Sequence, residues 1–81
     1  MSYGYSLRLA QVNKKASARS LGVKLGRTCI KRSVPVSQVA YDLGVSRQTV
    51  YNWFTGVNKP SKQTAEEISE LIVLYQRDYQ R

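Results

Sequence analysis

Apolar residues recur at helical spacing through most of the chain. Val39, Ala40 and Leu43 fall on one side of a helix expected to follow Val36, and Val50, Trp53 and Phe54 fall on one side of a second helix. Ser37 and Ser46 stand where their hydroxyls can cap the two N-termini. Between them lies Gly44, which can take a positive φ at little cost, end the first helix and let the chain turn at Val45. The segment from Val36 to Phe54 therefore predicts a helix, a tight turn and a second helix.

The same periodicity extends to both flanks. Leu21, Leu25 and Cys29, spaced by four and joined by Ile30, predict a helix over Leu21 to Lys31 with Ser20 as a candidate cap. Gly22 and Gly26 weaken it, since an interior glycine costs about 1 kcal/mol relative to alanine. Their presence implies close packing against a neighbour or a later helix start. Pro35 ends this helix by steering the residue before it away from the α region. After the second motif helix, Gly56 is a candidate terminator and Pro60 blocks resumption.

Thr64-Ala65-Glu66-Glu67 has the form of a capping box and predicts a last helix starting at Thr64. Ala65, Ile68, Leu71, Ile72, Tyr75 and Tyr79 form its apolar stripe. Val73 and Leu74 lie off that stripe, as incidental surface or as a dimer contact. Residues 1–20 leave two readings open, a basic arm that tracks DNA phosphates or an extra short helix through Leu7, Ala10 and Gln11. Taken together, the pattern predicts a compact all-α fold of four or five helices, the fifth being the optional one in residues 1–20, with the domain proper over residues 21–76 and 77–81 as a tail.

Length and charge sharpen the functional side. Eighty-one residues can support one small core, and the formal charge of +8 favours a polyanionic partner. The charge is uneven: eight basic residues and no acid precede Ser33, while two basic residues face four acids from Thr64 onward. With no histidine and one cysteine, the chain offers no internal disulfide and no conventional zinc site. Cys29, on an apolar stripe, reads as a buried small hydrophobe more readily than as a reactive thiol. No apolar run is long enough for a membrane span. Catalysis is unpromising, with no base beside Cys29 and with Glu66, Glu67 and Glu70 reading as a solvated helix face. The expectation is a non-enzymatic cytoplasmic protein with no cofactor, no metal and no membrane partner.

The residue types after the turn suit base reading. Arg47 can donate two hydrogen bonds to guanine, Gln48 can bond adenine in the same fork-like way, and Asn52 follows Gln48 by one helical turn. Thr49 can touch a thymine methyl and Tyr51 a phosphate or sugar. Arg47 also has a plainer reading, as a phosphate contact alone. Trp53 and Phe54 could stack on unpaired bases, but their helical phase places them in the core. Lys59 and Lys62 can clamp the backbone or simply be solvated, and Lys31 and Arg32 carry the same two readings.

Val39-Ala40, Leu43-Gly44-Val45-Ser46, then Val50 and Trp53, with the ending Gly56, Lys59 and Pro60, resemble phage repressor and Cro-type helix-turn-helix domains. The resemblance covers about Leu21 to Leu74. It departs at Phe54, where many relatives carry an acid after the tryptophan. It implies a lambda-repressor-like fold whose helix after the turn enters the major groove of double-stranded DNA. It implies Arg47, Gln48 and Asn52 as base readers and Ser46 and Gln38 as phosphate contacts. The role this suggests is a small phage or bacterial transcription regulator, acting alone or as a homodimer. Two alternatives remain open: a module docking on a host or phage protein, and the DNA-targeting piece of a recombination or packaging machine.

Overall fold

The computed structural model describes residues 6–17 and 19–77, which form five helices: α1 (Leu7–Lys15), α2 (Leu21–Arg32), α3 (Val36–Leu43), α4 (Arg47–Phe54) and α5 (Lys62–Arg77). The fold is all-helical, as the periodicity predicts. Tyr79 lies outside the described residues. α2 is the hub, packed against α1, α4 and α5, while α3 packs on α4. Leu25 and Cys29 of α2, Val39 of α3, Val50 and Phe54 of α4, and Ile68 and Tyr75 of α5 meet in one core. Leu71 and Ile72 pack against it half-buried.

The glycines of α2 are explained by this hub position. A Cβ on Gly26 would stand 2.5 Å from Asn13 Nδ2 and 2.9 Å from Phe54 Cγ, and one on Gly22 would stand 2.7 Å from Trp53 Cβ. Only a residue without a side chain lets α1 and α4 approach so closely. Gly44 is different: its surroundings are open, and its requirement is conformational, with φ +68° ending α3.

Several helix ends differ from expectation. Ser37 does not cap α3; Pro35 takes that place, and its carbonyl accepts from the Gln38 and Val39 N–H groups at 3.0 and 3.3 Å. Proline's fixed φ suits a helix entry and starts α3 earlier than the serine signal suggests. Thr64 does not cap α5 either. The helix begins at Lys62, and Ser61 Oγ accepts from the Thr64 N–H at 3.3 Å, so an equivalent hydroxyl three residues earlier prevails once Pro60 has set the entry. Ser20 occupies the N-cap position of α2 without a side-chain cap bond, and its Oγ is buried with no hydrogen-bond partner among the described residues.

α2 stops at Ser33, which adopts a left-handed conformation with φ +61°, before proline acts. The strain there, about 1–2 kcal/mol, is offset at the next residue: the Val34 N–H bonds back to the Cys29 carbonyl at 2.9 Å, and Val34 is fully buried. Ser46 caps α4 as expected. Gly56 comes just after the end of α4, with φ +79°.

Candidate nucleic-acid interface

α4 is held from behind and displayed in front. Val50, Trp53 and Phe54 are buried against the hub, whereas Arg47 and Gln48 are exposed and Thr49, Tyr51 and Asn52 are half-buried. Ser46 Oγ accepts from the Thr49 N–H at 3.1 Å and lies 3.0 Å from Thr49 Oγ1, which fixes the start of the helix. Gln48 Nε2 donates to Asn52 Oδ1 at 3.1 Å. That bond sets two amides side by side along the outer face, and each keeps donor and acceptor capacity for a further partner.

The residues around α4 are arranged less uniformly. Arg47 and Tyr51 share a shallow groove of about 180 Å³ with Pro35, Val36 and Ser37 at the start of α3. Gln38 is engaged within its own helix, donating to Asp42 Oδ1 at 2.8 Å. Lys59, in the loop after α4, and Lys62, the first residue of α5, are both exposed. Lys31 and Arg32 stand elsewhere. Lys31 lines a groove with Ala10 and Lys14 of α1, and the Arg32 guanidinium donates to the Gln76 carbonyl near the end of α5.

Asn13 is the structural residue that sequence reasoning missed. It is 2 % exposed, and its Nδ2 donates to the Phe54 carbonyl at 2.6 Å and to the Val23 carbonyl at 3.2 Å. α1 is thereby tied to the end of α4. Arg27 completes the tie by donating to the carbonyls of Lys14 and Ala16 at 2.9 and 2.8 Å, at the negative end of α1. Asn13 sits in a polar stretch that gives no hint of burial; the glycine at position 26 was the one indirect signal. A second missed link is Tyr75 Oη donating to Asp42 Oδ2 at 2.7 Å, which joins α5 to α3.

The family model for helix-turn-helix domains of the Cro and phage-repressor type matches residues 29–72, more than half of the chain. The chain belongs to this helix-turn-helix family. It is thus a DNA-binding helix-turn-helix regulator, and the matched span contains α3, the turn and α4 together with most of α5. α1, with Asn13, lies outside the matched span, although Asn13 bonds to Phe54 within it. No characterised protein and no solved structure matched the chain in the same comparisons. Among the described residues, no helix of this helix-turn-helix protein is long and apolar enough to cross a membrane.

Proposed function

We propose that the protein binds double-stranded DNA sequence-specifically, with α4 in the major groove, as a small phage or bacterial transcription regulator. The observation that carries this reading is the division of α4 into a buried face and an outer face bearing exposed Arg47 and Gln48 and half-buried Asn52. Arg47 and Gln48 reach base edges as forked donors and acceptors, Asn52 extends the same row, and Thr49 offers its methyl group to thymine.

Ser46, Gln38, Tyr51, Lys59 and Lys62 frame α4 and contact backbone phosphates. Lys62 supports this. It is exposed in the first turn of α5, where a cation gains nothing from the helix dipole, so its side chain is open to an outside anion. Lys31 and Arg32 add to the positive field that draws the duplex in.

The test is duplex selection from a random pool and then titration of variants. Arg47→Ala or Gln48→Ala should cost about 1–3 kcal/mol on the selected site and relax preference at one position, while Lys59→Ala should weaken all duplexes alike. Equal losses on selected and random duplexes for Arg47→Ala would refute direct readout.

A further inference from the structure

α3 and α5 enclose a second feature that DNA binding does not use. It is a groove of about 400 Å³ whose walls are Leu43, Leu71 and Leu74 and whose rim is Asp42, Glu67 and Glu70. Three of the five acids in a chain of formal charge +8 thus line one groove together with three leucines, and none of its lining residues is a cation. Leu74 is 47 % exposed there. Carboxylates repel phosphate, so the groove is not a nucleic-acid surface; its chemistry calls for a short apolar segment flanked by cations.

The chain itself contains such a segment. α1 has no acidic residue, and Arg8, Val12 and Lys15 succeed one another at helical spacing on the side turned away from buried Asn13. All three are exposed, and Leu7 beside them is 76 % exposed. Phosphate contacts would explain the cations of this face but not its exposed leucine and valine.

We propose that the groove between α3 and α5 receives α1 of a second copy of the chain, so that copies join head to tail. Arg8 and Lys15 then meet the rim carboxylates and Val12 lies among the leucines. A symmetric groove-to-groove pairing is disfavoured, because it brings two acidic patches together. A head-to-tail contact uses two different patches, and nothing in it closes the assembly at two copies. The contact is small, so association should be weak and concentration-dependent.

The test is sedimentation equilibrium of the full chain without DNA. The average mass should rise above the 9.2 kDa monomer with concentration. The double variants Glu67→Lys with Glu70→Lys, and Arg8→Glu with Lys15→Glu, should each stay monomeric while keeping full helicity by circular dichroism. Each retains one intact patch, and the two reversed patches are complementary to each other, so their mixture should regain an average mass that rises with concentration as in the unmixed wild-type chain. Val12→Ser and Leu74→Ser, which leave the charges in place, should each weaken association of the unmixed chain. A wild-type chain monomeric throughout, a dimer indifferent to the α1 variant, or a mixture that stays monomeric overturns the proposal. So does an α1 variant that loses duplex affinity with its self-association unchanged.

Discussion

Gly26 sets two rules against each other, and Gly26→Ala is the sharpest test of how tightly α1, α2 and α4 pack. Helix propensity alone predicts that alanine in the middle of α2 stabilises the protein by about 1 kcal/mol. The packing predicts the opposite sign. The new Cβ would stand 2.5 Å from Asn13 Nδ2, 2.9 Å from Phe54 Cγ and 3.1 Å from Phe54 Cβ. Neither neighbour can swing aside easily: Phe54 is fully buried, and the Asn13 amide is committed to the carbonyls of Phe54 and Val23.

Overpacking of this kind costs about 1–3 kcal/mol, and displacing Asn13 forfeits about 0.5–1.5 kcal/mol for each hydrogen bond lost. After the propensity gain, the net loss should be about 3 kcal/mol, a large share of the roughly 4–12 kcal/mol expected for a domain of this size. Thermal unfolding monitored by circular dichroism should show the midpoint falling by more than about 10 °C. Repeating the measurement in an Asn13→Ala background isolates the contact: with the amide gone, the cost of Gly26→Ala should shrink by about 0.5–3 kcal/mol. A Gly26→Ala midpoint at or above that of the wild type would refute the close approach of α1, α2 and α4.

Helix caps, the α3–α5 link and the charge of the interface give further tests. Ser46→Ala should lower stability by about 1 kcal/mol in urea titrations, while Ser37→Ala should leave it unchanged within about 0.5 kcal/mol, because Ser46 caps its helix and Ser37 does not. Equal effects of the two would contradict the observed start of α3. Tyr75→Phe should cost about 1–2 kcal/mol through loss of the hydrogen bond to the Asp42 carboxylate, and a double-mutant cycle with Asp42→Asn should show the two losses to be strongly non-additive. Duplex affinity should fall steeply as salt rises, with a slope proportional to the phosphates neutralised, and Lys59→Ala should flatten that slope by about one unit. An affinity insensitive to salt would remove the basic face from the interface.

Much of this protein is dictated by local pattern. The 3.6-residue spacing of Val39, Ala40, Leu43, Val50, Trp53 and Phe54 fixes which sides of α3 and α4 face inward, and Gly44 fixes the turn between them. Both signals are legible because they depend on neighbours within a few residues. The outward position of Arg47 and Gln48 comes from the same phase, since residues opposite a buried stripe must face solvent.

Caps were less legible. Ser37 and Thr64 carry the right side chains, but Pro35 and the pair Pro60-Ser61 start the helices earlier, and which signal prevails depends on where the incoming chain is anchored. Tertiary structure alone decided the rest. That Asn13 is buried, that Arg27 spends its guanidinium on the end of α1, and that Tyr75 reaches Asp42 are facts about residues 10 to 41 positions apart in sequence that meet in space. A polar side chain is buried only when its hydrogen-bond partners are already in place, and those partners are set by how α1, α4 and α5 pack around α2.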